Sequence, residues 1–382
     1  MEAIRQRMID GMAKNGIAGV DAERIFNQIN GFADYGFPES HAASFALIVY
    51  ASAYLRHYYA AEFLCATLNA QPMGFYAAGT LVEDARRHGV RIAPVDLTRS
   101  AWDHTLECAD GTVVVPNDGV ISVRVGAVGG STKTAVPTRK APVVRLGLRS
   151  IRGLGSHARK KLEAALAGAA FTSIHDFVAR SQLDRRALRF VAESGALDAF
   201  VSDEPPDRRR RVALWRVLEA ERGSAGPLAL FPETPVPAGL PPLSAPEITE
   251  ADYRMIGLSL NGHPMKHLRK LLDPNGVLTV RATEQGKDGD RVGTAGLVIC
   301  RQRPATAKGF VFLTLEDETG MLNVVVTPKR FEQQSQLITR NPLLLVRGTL
   351  QVEQGVVNLR GEEFIALGAQ AGAAHARSHD FR

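Results

Sequence analysis

Cysteine is scarce in this 382-residue chain: Cys65, Cys108 and Cys300 stand far apart, and no pair has the Cys-x-x-Cys spacing. That excludes a disulfide-stapled secreted scaffold and a thiolate zinc site, and it fits a reducing cytoplasm. Long apolar runs are also missing. The longest, Ala42 to Leu55, is shorter than the roughly 20 residues a bilayer crossing takes, so it reads as a buried helix and no membrane partner is expected. The start, Met1-Glu2-Ala3-Ile4-Arg5, leads into a polar helix rather than a signal sequence. Metal ligands are thin as well. His263 and His267 are four apart, but Pro264 and Met265 intervene and no third ligand is near. Asp288-Gly289-Asp290, the one Asp-x-Asp, sits in a turn rather than on a strand.

Acidic residues are fewer than basic ones, giving a net charge of +6. A basic balance favours an anionic partner, and arginine's planar fork suits phosphate. The length leaves room for two or three domains, each with its own core.

Residues 1–106 read as helical: Ile25, Phe26, Ile29 and Phe32 recur at helical spacing, and Leu81–His88 forms a helix stopped by Gly89. Residues 107–143 are rich in Val, Gly and Thr and read as a variable insertion or loop, in which Val113–Val115 and Val120–Val123 have strand character. Residues 144–202 carry three helices, Ser156–Ala167, Ser173–Arg180 and Asp184–Glu193. The stretch 203–250 is rich in proline, contains Arg208-Arg209-Arg210-Arg211, and reads as a linker, with a helix open to Arg211–Arg222. A connector, 251–289, precedes strands at Val292–Arg301, Gly309–Glu316 and Met321–Thr327. A helix follows, capped by Thr327 with Pro328 in its first turn, and then a hairpin about Gln354-Gly355. Three strands, a helix and two strands over 290–367 is the order of an OB-fold barrel. Residues 368–382 read as a flexible tail. The fold class expected is multidomain α + β.

Two constellations point to nucleic acid. Arg152-Gly153-Leu154-Gly155, between Ile151 and Leu162, fits a helix-hairpin-helix turn whose backbone N–H groups and following helix N-terminus face a phosphate. Arg159, Lys160 and Lys161 add positive charge there. The bland alternative is a glycine connection between two core helices. In the second barrel strand, Val311, Leu313 and Leu315 point one way and Phe310, Phe312 and Thr314 the other. Which set faces inward is open; an outward aromatic set gives bases a stacking surface, with Arg301, Arg303 and Lys308 tracking phosphates.

The stretch Gly31-Phe32-Ala33-Asp34-Tyr35-Gly36-Phe37-Pro38-Glu39-Ser40-His41-Ala42-Ala43-Ser44-Phe45-Ala46 reads as a turn and then a helix, capped by Ser40. As a whole string it resembles the fingers region of bacterial C-family DNA polymerases, in the wording of the error-prone branch. Leu68-Asn69-Ala70-Gln71-Pro72-Met73-Gly74-Phe75-Tyr76 and Asp84-Ala85-Arg86-Arg87-His88-Gly89-Val90 continue the match. The resemblance implies the C-terminal portion of an error-prone DNA polymerase: partial fingers, helix-hairpin-helix domain and barrel. Ser40 and His41 would then lie near an incoming deoxynucleotide in the complete enzyme, where Mg2+ serves the chemistry. This chain itself is expected to bind no cofactor and, without palm carboxylates, to be inactive alone. Its partner is DNA, as single-stranded template and duplex backbone. In the proline-rich stretch, Leu228, Leu230 and Phe231 resemble the clamp-binding peptide of replicative members, although Pro227 stands where those have glutamine. Sliding clamp and translesion accessory proteins are thus candidate partners, against the alternative that this peptide packs on its own domain. Rival readings are a stand-alone single-stranded nucleic-acid-binding module and a non-catalytic interaction subunit.

Overall fold

Helical periodicity near the start of the chain becomes helices in the computed structural model, which describes residues 2–34, 39–73, 76–108, 113–114, 142–223, 239–368 and 379–381. The chain divides into two compact units, residues 1–60 and 61–382. The first holds α1 (Glu2–Lys14), α2 (Val20–Asp34) and α3 (Glu39–Tyr58). Arg5 of α1 pairs with Glu23 of α2 at 2.5 Å and lies over the buried Phe26. The expected buried helix at Ala42–Leu55 is a helix, but Leu47, Ile48, Val49 and Tyr50 on it are exposed. A helix apolar all round needs neighbours on every side, whereas α1 and α2 pack chiefly on each other.

The second unit opens with α4 (Ala60–Asn69) and α5 (Ala78–Arg87), then a small sheet of β1 (Ile92–Ala93), β2 (Thr105–Glu107), β3 (Val113–Val114) and β4 (Val143–Arg145), in the order β1-β4-β2-β3. Stretch 107–143 therefore leaves and re-enters at one sheet. Val113–Val114 pairs with Leu106 and Glu107 as a strand, and Val120–Val123 lies outside the described residues. The other two- and three-residue strands of this sheet, β1, β2 and β4, carry too little alternation to be read beforehand.

Next come α6 (Ser156–Gly168), α7 (Ile174–Ser181), α8 (Arg185–Glu193) and α9 (Pro206–Gly223). Ser173 and Asp184 cap α7 and α8 by accepting from the backbone N–H groups of Asp176 and Ala187. Ile151, Leu162, Phe177, Leu188 and Val191 are buried in one core, each contributing about 1.5–3 kcal/mol of hydrophobic stabilisation. That core corrects the linker assignment for its first half. Residues 206–223 are helical, and Val212, Ala213 and Val217 join the same core. The arginine run is held along its length. Arg209 donates to the carbonyls of Glu204 and Ser202, Arg210 pairs with Asp252 at 2.8 Å, and Arg211 reaches Pro241 O and Glu247.

Connector 251–289 is mostly regular. It takes in the end of α10 (Ala245–Met255), α11 (Pro264–Leu272), β5 (Val277–Leu278) and α12 (Val280–Glu284). Ser244 and Glu247 form a reciprocal capping box at the start of α10. The barrel follows, with β6 (Arg291–Gln302), β7 (Val311–Glu316), β8 (Met321–Val326), α13 (Pro328–Arg340), β9 (Leu343–Glu353) and β10 (Val356–Ala366); β11 (His379–Phe381) adds to β6. β6 pairs with β7 and β9, β8 joins β10 in parallel, and β9–β10 closes the five-stranded ring through a turn in which Gln354 and Gly355 both have positive φ. Leu313, Leu315, Leu322, Val324, Val346 and Leu359 fill it. Outside the ring, Tyr253, Met265, Leu272 and Val277 cover Ala295, Leu297, Leu343 and Leu345. Helices α10 and α11 thus bury the β6–β9 side of the barrel.

Candidate nucleic-acid interface

Strand alternation decides what the rest of the barrel presents. Val311, Leu313 and Leu315 are buried inside, so Phe312 points outward, 36% exposed. Phe310 lies just before β7 and is half-buried, its N–H bonded to Ala307 O. Cross-strand register places Gln302, Phe312, Val325 and Arg360 in one row, and Cys300, Thr314, Asn323 and Asn358 in the next. The result is an aromatic ring and an arginine among amides and hydroxyls on neighbouring strands. An exposed ring on a polar sheet offers a base a stacking partner, and the flanking amides offer hydrogen bonds to its edge. Asn323, Val325, Asn358 and Arg360 went unnoticed in the sequence, although the two-residue period of β8 and β10 aligns them with Phe312 once the register is known.

Of the three basic residues expected to track phosphates here, Arg301 does something else. It is buried, and its Nε and Nη2 donate to Ile338 O and Asn341 O at 2.9 and 2.7 Å, closing the carbonyl end of α13. The positive charge serves the negative end of a helix. Arg303 is exposed and lies 5.1 Å from the Phe331 ring centroid; Lys308 is exposed in a left-handed turn before β7. Both remain at the edge of the Phe312 face in sequence.

At the hairpin, Gly153 has φ +86°, and a Cβ there would stand 2.3 Å from Phe190 Cε2. Only glycine fits both demands. Gly155 precedes α6 with open space where a side chain would be. Ile151, Leu154 and Leu162 are buried beneath the turn, leaving the backbone around 155–157 exposed at the helix start. The charges around it have different surroundings. Arg159 donates to Glu163 and lies over Trp102, and Lys161 donates to Gln182 O at 2.6 Å. Arg152 rests against Gly257, and Lys160 is exposed.

The remaining expected sites scatter. Ser40 is the second residue of α3; His41 is exposed, with its ring 4.5 Å from that of Phe45. Leu228, Leu230 and Phe231 lie outside the described residues. His263 accepts from the Met265 N–H at the start of α11 while His267 bonds Thr249, so the two rings serve separate partners. Burial pushes the His263 pKa down to about 3. Asp288 and Asp290 accept from the backbone N–H groups of Val352 and Lys287. Among the described residues no group of three or more His, Cys, Asp or Glu is placed to hold a metal ion, and no helix is long and apolar enough to cross a membrane.

Comparison with known proteins bears on both surfaces. The helix-hairpin-helix motif family matches residues 89–210, and the OB-fold nucleic acid binding domain family matches residues 294–367. The whole chain is 44% identical to a protein of Anaeromyxobacter dehalogenans (strain 2CP-C) named error-prone DNA polymerase, and covers 31% of it. A protein of the same name from Methylococcus capsulatus is 40% identical over all of this chain, which covers 35% of it. The chain thus spans about a third of the length of the curated relatives it matches. Among solved structures, asparaginyl-tRNA synthetase from Pyrococcus horikoshii aligns over 24% of each chain with TM-score 0.21 and 19% identity.

Proposed function

This chain is a relative of the error-prone DNA polymerases along its entire length, and we propose that it is the C-terminal, DNA-holding part of such an enzyme. In this reading the barrel takes an unpaired template strand on the Phe312 face and the Gly153 hairpin grips phosphates. Nucleotide addition opposite damaged templates, with Mg2+, belongs to the complete polymerase, a DNA damage-induced enzyme that works in the cytoplasm. A sliding clamp or accessory protein would reach it through Leu228, Leu230 and Phe231.

One observation carries the reading: the β6–β9 side of the barrel is covered by α10 and α11, while the β7–β8–β10 side bears Phe312 with Asn323, Asn358 and Arg360. A ring left exposed among hydrogen-bonding side chains suits unpaired bases without selecting their sequence. The test is binding of oligo(dT) and of mixed-sequence single strands across a salt series. If Arg303, Lys308 and Arg360 each neutralise one phosphate, log K should fall against log salt with a slope near −2, at about −0.7 per contact. A slope near zero would show that the charge serves solubility alone.

A further inference from the structure

The last described residues, expected as part of a flexible tail, form a strand. β11 lies parallel on β6, with His379 opposite Cys300, Asp380 opposite Arg301 and Phe381 opposite Gln302. The barrel itself defines the place this strand takes. At Leu297, β6 pairs with β9 on one side and with β7 on the other, and the pairing with β9 runs no further. β7 stays with β6 through Gln302, so from Cys300 onward β11 fills the side that β9 has left. Unfilled, that side would offer unpaired N–H and C=O groups at the rim of the Phe312 face.

The register carries that face one strand further. Gln302 is exposed and stands in the row of Phe312, Val325 and Arg360. Residues opposite each other on neighbouring strands share a face of the sheet. Phe381 therefore joins the row at its outer end, and Asp380 falls opposite the buried Arg301, an acid against a base across the pair. Two strand spacings, about 9.5 Å in all, separate the positions of Phe381 and Phe312. Aromatic residues on separate strands of one sheet face are the arrangement by which a sheet stacks two or three bases of a single strand.

We propose that the C-terminal strand is the outer wall of the single-strand site and that Phe381 is a second stacking position for an unpaired base, a role that rests on reading the Phe312 face as that site. The row then gives a bound strand its course across the sheet. One base stacks at Phe381 and another at Phe312, the Gln302 amide lies between them, and the Arg360 guanidinium stands at the far end for a phosphate.

The experiment measures fluorescence anisotropy of labelled oligo(dT) with the full chain at fixed salt and across a salt series. Phe381→Ala should weaken binding about tenfold, the loss of one stacked base. The log–log salt slope should not change, because no phosphate contact goes. Phe381→Tyr keeps the ring and should bind within about twofold of the wild type. Phe381→Leu keeps apolar bulk without a ring face and should lose nearly as much as Ala. A strand that merely covers the β6 edge would leave Phe381→Leu at wild-type affinity, and that result overturns the proposal. Truncation after residue 378 should cost at least as much as Phe381→Ala; a truncated chain that binds as tightly as the wild type, or more tightly, overturns the proposal too. Either contrary result, alongside weakened binding in Phe312→Ala, leaves the barrel reading standing. Wild-type chain that binds no oligo(dT) overturns both.

Discussion

The Phe190 ring occupies the space that any side chain at residue 153 would need, with Cε2 2.3 Å from where its Cβ would stand. The hairpin turn and α8 are therefore fitted to each other through an absent side chain. Gly153→Ala adds a left-handed backbone cost of about 1–2 kcal/mol to that overlap, so a total loss of about 2–4 kcal/mol is expected. Thermal unfolding checks it, and Phe190→Ala in the same chain should restore part of the loss. An unchanged melting temperature in Gly153→Ala would contradict the fit.

Arg208 to Arg211 should resist trypsin. They lie in α9, where Arg210 is ion-paired with Asp252, and Arg209 and Arg211 donate to backbone carbonyls. A protease needs a locally unfolded segment, and this one is tied to a core. Mapping the first cuts by mass spectrometry decides: cleavage within 208–211 at early times would restore the linker reading.

Stability should fall in mild acid through His104. Burial, with help from Arg149, pushes its pKa down to about 4, and its Nδ1 accepts from the Gly147 N–H. The unfolded chain binds the proton near pH 6.5 and the folded chain does not until about 4, so stability is lost as pH drops through that window. At pH 5 the loss from this group is about 2 kcal/mol relative to pH 7. His104→Gln keeps an acceptor and should show a correspondingly flatter pH profile in urea unfolding. Parallel profiles would mean His104 protonates freely in the fold.

The barrel was largely legible in the sequence, and for a local reason: two-residue alternation and the Gln354-Gly355 turn act between neighbours in the chain. So were helices α7 and α8, which start just after Ser173 and Asp184, residues that bond backbone N–H groups three positions on. What escaped depends on distant partners. Arg301 looks like a loop cation until α13 brings the Ile338 and Asn341 carbonyls to it. The arginine run looks solvated until Asp252 and Glu247 arrive from α10. The inward or outward sense of Phe312 was open because alternation gives two faces without saying which is covered.

The chain alone should extend no primer. Phosphoryl transfer to a nucleotide needs carboxylates that hold metal ions at the reacting oxygens, and the Asp288 and Asp290 carboxylates are engaged with backbone N–H groups in a turn. The assay is primer extension with Mg2+ or Mn2+, with a Ser40→Ala/His41→Ala variant as control for contaminating polymerase. Extension by the wild type that this variant lacks would contradict the expectation.

The most direct test of the central claim is the affinity of Phe312→Ala for single-stranded DNA, measured by anisotropy at fixed salt. Phe312 is exposed and its removal opens no cavity in the barrel, so the variant should melt like the wild type. If bases stack on this ring, oligo(dT) binding weakens by about 1–3 kcal/mol, with the salt slope unchanged because no phosphate contact is lost. Wild-type affinity in the folded variant would contradict the claim that this face of the barrel holds unpaired DNA.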